Sequence, residues 1–343
     1  MVGPVHPARR GKTSKRLCLA ALIGLLAAQP AYVGPAAPPL PMKAITDAPF
    51  GAVTRRFDYA SLDPKRGLLF VADLAGSRVR VFDVRRGRLV KAIAGVWSVH
   101  GVLAVPGLDR VYASATGRDE VQVIDEASLS VVARTPAGHY PDGIAWAPKI
   151  RRLYVSDEHG DAVTVIDAAT NRRIDTIRLG GEVGNTQYDE GSGLIYSNEQ
   201  THNDLVGIDP GSDRIVSRDR LPGCEGAHGL LIDAPRRLAL IACEDNARLV
   251  AFSLASRREI GISSVGEGPD VLAYDPGLHR LYVASESGVI SVFQVEARGA
   301  SLLGQGFLAD NAHVVAVDPA SHRIFFPLRK VGDHAALRIM KPD

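Results

Sequence analysis

The sequence predicts an all-β fold, a seven-bladed β-propeller with four antiparallel strands per blade, and three observations carry that prediction. A large apolar residue recurs at Phe70, Tyr112, Tyr154, Tyr196, Leu240, Tyr282 and Phe325, at spacings of 42, 42, 42, 44, 42 and 43 residues. Between these positions apolar residues alternate with a period of two, punctuated by Gly, Asn, Asp and Pro, as strands and tight turns require. Thirteen residues beyond the first four of them come Asp83, Asp125, Asp167 and Asp209, closing runs such as VRVFD, VQVID and VTVID. A period in the forties with four strands per unit marks a propeller. Helical repeats share the period, but the alternation and the Asp-Pro turns at Asp63, Asp209, Asp275 and Asp318 exclude them. The 299 residues from Ile45 to Asp343 hold seven such units with nothing left over.

Taken in order, residues 1–28 read as a signal peptide. Arg9, Arg10, Lys12, Lys15 and Arg16 precede Leu17–Ala28, twelve apolar residues, too few to span a bilayer but suited to a signal core. Cleavage is expected between Ala28 and Ala37. Arg9-Arg10 lacks the hydrophobic residues that follow a twin-arginine pair, and Cys18 lacks a lipoprotein box before it. Residues 29–41 form a Pro/Ala-rich linker, and residues 42–343 the propeller. A periplasmic or secreted monomer is expected, with no transmembrane segment in the mature chain. The formal charge of +2 belongs to the leader; without its five basic residues the chain carries −3. Nucleic acid is therefore a poor candidate partner, since it needs a clustered basic footprint.

The unit from His139 to Gly180 shows the pattern best, with strands expected at Gly143–Ala147, Leu153–Ser156, Val163–Ile166 and Ile174–Arg178. The seventh unit has only three, at His313–Val317, Ile324–Pro327 and Ala335–Met340, so an outer strand must come from elsewhere or the ring keeps an open edge. Met42–Ile45, MKAI, echoes VKAI at Val90–Ile93, the outer strand of the first unit, and is assigned to close the ring. Thirteen residues separate Ile45 from Asp58, against seven from Ile93 to His100, and the surplus predicts a longer loop over the mouth.

The runs RLYVSDEHGDAVTVIDAATNRRIDTI, DPGLHRLYVASESGVISVF and PDGIAWAP resemble the YVTN β-propeller family of exported bacterial proteins, over essentially Lys43 to Asp343. The fifth repeat departs with Leu240, the seventh lacks the VxVID strand, and no Trp-Asp dipeptide of the WD40 variety occurs. The resemblance implies the fold and an exported setting; its members include binding proteins and lactonase-like enzymes.

Twelve residues before each aligned position stands the start of an innermost strand: Asp58, His100, Asp142, Gly184, His228, Asp270 and His313. Six of the seven are Asp or His, and converging inner strands place them at one mouth of the central channel. Four residues beyond the aligned positions, Glu158, Gln200, Glu244 and Glu286 reach the same mouth. Such residues suit a ligand site, a divalent metal held by His228, Asp270 and His313, or acid–base chemistry. They also suit a scaffold in which Asp or His before Gly bonds backbone N–H groups across blades. No other cofactor is implied. The expected function is non-catalytic binding of a small molecule or protein at the mouth. The alternative is a metal-assisted hydrolase using His100, His228 and His313 with neighbouring acids; that it be lactonase-like is what the resemblance alone implies.

Cys224 and Cys243 are the only cysteines beyond the leader. Pairing about the turn near Pro235 places Cys243 opposite His228, and an exported protein would oxidise the two to a disulfide. Trp97, Tyr140, Trp146 and Tyr188 fall near the inner strands, where blade-to-blade packing is the expected role. The sequence contains no G-x-S-x-G, H-E-x-x-H, C-x-x-C or dinucleotide fingerprint.

Overall fold

The VTVID run illustrates how the sequence makes a blade. Its β-branched residues favour extended backbone, and both faces of the strand Ala162–Asp167 are buried against neighbouring blades. It pairs antiparallel with Arg152–Asp157 on one side and Arg172–Arg178 on the other, and Pro141–Ala147 completes the sheet on the channel side. The outermost strand buries only Ile177 fully and turns its charges to solvent. Asp167 ends the third strand by accepting the Thr170 N–H at 2.7 Å, which fixes the turn.

The computed structural model describes residues 37–343, and they form seven such four-stranded sheets. One apolar cluster lies at each blade-to-blade contact. Phe50, Phe57, Leu69, Phe82, Phe325 and Leu337, for example, join the seventh blade to the first. The repeated aromatic positions Phe70, Tyr112, Tyr154, Tyr282 and Phe325 are all at most 1% exposed, and each is worth about 1.5–3 kcal/mol of burial. The leader, its cleavage region and the linker up to residue 36 lie outside the described residues. Among the described residues no helix is long and apolar enough to cross a membrane.

Ring closure is as expected in kind and longer in extent. Met42–Ala52 pairs antiparallel with His334–Pro342 and completes the sheet that also holds Arg323–Val331 and Ala316–Asp318. The surplus after Ile45 does not loop over the mouth. It continues the strand past two register shifts because Ala48 and Phe50 have apolar surface to cover. Only Val53–Tyr59 remains to carry the chain to the mouth. The end of the linker is also docked: Gln305 donates its N–H to the Pro38 carbonyl oxygen at 2.8 Å, on the outer strand Gly299–Phe307 of the sixth blade. In the seventh blade the inner strand begins at Ala316 rather than His313. His313 instead bonds its own loop, through Nδ1 and the Asn311 carbonyl at 3.1 Å.

A repeated irregularity positions the site. At the top of the second to sixth blades the register between inner and second strands slips by one residue. In four of them the extra residue lies at His100-Gly101, Asp142-Gly143, Gly184-Asn185 and His228-Gly229. A bulge bends the strand and re-aims its side chain, here into the channel mouth. It also places Cys243 opposite Ala227, not His228, one residue from the expected register. The glycines permit close approach: an added Cβ at Gly101 or Gly229 would overlap the carbonyl oxygen of Asp142 or Asp270 on the next blade. Cys224 and Cys243 form a disulfide across the top of the fifth blade, with Cα atoms 5.2 Å apart.

Candidate functional site

The bulged tops and the Val53–Tyr59 segment together build a small polar cavity at one mouth of the ring. Its walls are Arg56, Asp58, Tyr59, His100, Tyr140, Asp142, Glu158, His228, Glu244 and Asp270, around a volume of about 110 Å³. Eight of these walls are residues that the sequence singles out, Tyr140 among them as packing. Arg56 and Tyr59 are not.

Five of the six ring residues lie in one connected group. His228 Nε2 is 3.4 Å from Asp270 Oδ1 and 3.9 Å from Asp142 Oδ2. His313 Nε2 is 3.6 Å from Asp58 Oδ1 and 3.8 Å from Asp270 Oδ2. All five side chains are buried, His313 completely. His100 stands apart. Its Nδ1 meets the Ser98 carbonyl oxygen and Thr116 Oγ1, both at 2.9 Å, and Nε2 faces the Tyr140 hydroxyl at 3.0 Å. Tyr140 holds that position from a left-handed backbone, φ 60°, and has a polar contact rather than a purely packing one.

Arg56 enters from the closing segment. Its Nε donates to Asp58 Oδ1 at 3.2 Å, one terminal nitrogen pairs with Glu286, and the other lies 3.7 Å from Asp270 Oδ2. Glu286 thus belongs to the rim through Arg56, while Glu158 and Glu244 line the cavity directly. Gln200 reaches Glu158 at 3.5 Å. Tyr59 forms the floor. Its hydroxyl accepts from Asn185 across the ring and lies 3.4 Å from Asp270 Oδ1. Below it a second cavity of about 380 Å³, lined largely by Leu62, Val102, Ile144, Leu230 and Val271, continues down the channel.

The carboxyl groups differ in protonation although they share one mouth. Burial, reinforced by the Asp58 charge, pushes Asp142 well above the ordinary carboxylate range. Burial would raise Asp270 too, but the hydrogen bond and charge of His228, with His313 and Arg56, outweigh it and hold Asp270 at about 2. Burial opposes the charge on both imidazoles. The Asp270 hydrogen bond raises His228 well above its usual value, and the Asp58 contact raises His313. Burial also raises Glu244. A neutral acid beside an ionised one and a charged imidazole can donate and accept protons, and the group can also hold a cation or a polar ligand.

The scaffold alternative fares differently. Among the described residues, no backbone N–H donates to Asp58, Asp142 or Asp270. The blades are tied instead by second-strand side chains that hold the neighbouring bulge: Asn198 donates to the carbonyl oxygens of His228 and Gly229 at 3.0 and 3.1 Å, and Ser114 to that of Asp142 at 2.5 Å. Of the other aromatics, Trp146 and Tyr188 pack against inter-blade clusters, while Trp97 is half exposed with Arg118 stacked over its ring at 5.2 Å.

The chain matches no family model and no curated protein. Solved structures match its fold. Hydrazine synthase of Kuenenia stuttgartiensis aligns at 14% identity and a TM-score of 0.70, over 82% of this chain and 93% of that one. The WD40 repeats of RRP9 align at 12% and 0.72, over 88% and 100%. U3-55K aligns at 12% and 0.71, over 90% and 100%. At such identity the likeness is one of fold: the chain is a seven-bladed β-propeller with WD40-like structural neighbours.

Proposed function

We propose that this chain is an exported propeller that binds a small polar molecule, without transforming it, in the cavity above Tyr59. One observation carries the reading: Asp142 Oδ1 and His228 Nδ1, on residues that wall the cavity, are buried with no hydrogen-bond partner. Leaving such atoms unmet costs about 1–3 kcal/mol each, which a bound ligand recovers. The leader-like residues 1–28, the Cys224–Cys243 bridge and the YVTN-like repeats support export. A lactonase-like hydrolase is the second reading, favoured by the unequal protonation of Asp142 and Asp270. The test is a thermal-shift screen of small polar molecules on the purified chain. A stabilising compound should lose its effect in Asp142→Asn and His228→Gln and keep it in Asp318→Asn, at the far end of the ring. Undiminished binding in both mouth variants would remove the mouth from the account, and turnover of the compound would favour the hydrolase.

A further inference from the structure

Three ligand atoms in this mouth converge: one oxygen each from Asp58 and Asp270 and one nitrogen from His313 lie within 4.8 Å of one another. Asp270 stands on the inner strand of the sixth blade, while Asp58 and His313 lie just before the inner strands of the first and seventh, and these three blades are neighbours around the ring. Around a tetrahedral ion with bonds of about 2.0–2.1 Å, ligand atoms stand about 3.3 Å apart. The His313–Asp58 and His313–Asp270 separations of 3.6 and 3.8 Å need to close by only a few tenths.

The surroundings are those of a prepared ligand set. The His313 contact with the Asn311 carbonyl oxygen can be made only by an N–H at Nδ1. In the neutral ring this leaves the Nε2 lone pair facing Asp58 and Asp270, and Nε2 is buried with no hydrogen-bond partner. Metal-bound histidines are oriented in this way by the hydrogen bond of the other ring nitrogen. His228 and Tyr59 approach Oδ1 of Asp270, which leaves Oδ2 beside His313 Nε2 at 3.8 Å.

We infer that Asp58, Asp270 and His313 bind one divalent first-row metal ion, and that Arg56 is a built-in competitor for that place. The inference rests on the reading of the mouth as a ligand site and names its occupant. One imidazole with two carboxylates favours zinc or manganese over calcium or magnesium, which prefer oxygen alone. Arg56 points its guanidinium at the same two carboxylates, Asp58 Oδ1 and Asp270 Oδ2, so ion and guanidinium exclude each other. Its side chain is one-third exposed and anchored to Glu286 on the rim, so it can withdraw toward solvent while keeping that partner.

The experiment is isothermal titration of the purified, chelator-treated chain with Zn²⁺, Mn²⁺, Ca²⁺ and Mg²⁺, with Co²⁺ absorbance as a direct sign of coordination. One ion per chain is expected, with Zn²⁺ or Mn²⁺ bound more tightly than Ca²⁺ or Mg²⁺. Asp58→Asn and His313→Gln should each weaken binding by at least about tenfold. Arg56→Gln should tighten it by about tenfold, an outcome no scaffold role for Arg56 predicts. Should a buried variant fail to fold, Arg56→Gln and the Co²⁺ spectrum of the unaltered chain decide. Absence of a bound ion, or binding indifferent to Asp58 and His313, overturns the metal; unchanged affinity in Arg56→Gln overturns the competitor. A polar ligand that still depends on Asp142 and His228 when no ion binds leaves the proposed function standing and defeats only this inference.

Discussion

Aspartates recur at the two ends of the inner strands, five residues apart in the first and sixth blades (Asp58 and Asp63, Asp270 and Asp275) and at one end only in the third, fourth, fifth and seventh, and the two ends use them differently. At the lower end Asp63, Asp189, Asp233, Asp275 and Asp318 each accept a backbone N–H from the turn that follows, as Asp275 does from Gly277 and Leu278 at 3.0 and 3.1 Å. At the upper end Asp58, Asp142 and Asp270 accept none. A tight turn supplies N–H groups at the right distance and consumes the carboxylate locally. A bulge at Asp142 and at Asp270, and the segment that precedes the first inner strand at Asp58, turn the side chain into the channel, where only other side chains answer it. The same residue on the same strand is therefore a turn device at one end and an available charge at the other.

The upper end should break first when its glycines are filled. Gly229→Val would drive side-chain atoms into the Asp270 carbonyl oxygen, and a loss of about 3 kcal/mol or more is expected from denaturant unfolding. Next comes the bridge beside it. Replacing Cys224 and Cys243 together by Ala should cost roughly 3 kcal/mol, as closing a loop of about twenty residues suggests, and thiol titration of the denatured, unreduced protein should find no free thiol.

The lower end has one exception, and it sharpens the contrast. Glu126, one residue past a turn aspartate, is buried beside Asp63 with Arg66 Nε 3.4 Å away, and burial together with Asp63 pushes it to about 8. The folded chain keeps that proton where the unfolded chain releases it, so Glu126 costs stability increasingly as pH rises from about 4.5 toward 8. Glu126→Gln should stabilise by on the order of 2 kcal/mol at pH 8 and by nothing below pH 4; an equal gain at both values would contradict this assignment.

Smaller effects should differ in sign between the ends. Asp275→Ala should cost about 1–2 kcal/mol through its lost turn bonds. Asp142→Asn should gain about 1 kcal/mol at pH 7, because Asp142 is raised by burial and its ionisation opposes folding above the unfolded value near 4. Urea melts at pH 3 and pH 7 separate the two: the Asp142 gain disappears at pH 3.

The ring of blades and its closing strand were legible because they rest on period and alternation, which any window of sequence displays. The Asp/His positions were legible for the same reason, recurring twelve residues before Phe70, Tyr112 and their counterparts. Their grouping was not. Arg56 meets Glu286 from 230 residues away, and Tyr59 meets Asn185 from 126, distances at which sequence offers no spacing to read. Arg56 stands two residues before Asp58, in the segment whose extra length marks it as unlike the other blade connections, the one signal in the sequence that points to it. The bulge hid the register at Cys243, because a single extra residue leaves the apolar pattern on either side intact.

Closure of the ring by its first strand has a consequence in time as well as in space. Arg338 Nη2 meets Asp47 Oδ2 at 2.7 Å across 291 residues, so the seventh sheet cannot assemble until nearly the whole chain has been made. Met42 must wait without its partners from the sixth and seventh blades, whereas Phe50 meets Phe57 and Phe82 of the first blade early. Contacts of such separation are slow to form, and apolar segments left waiting invite aggregation. The circle therefore cannot close before the last strands of the chain have been made.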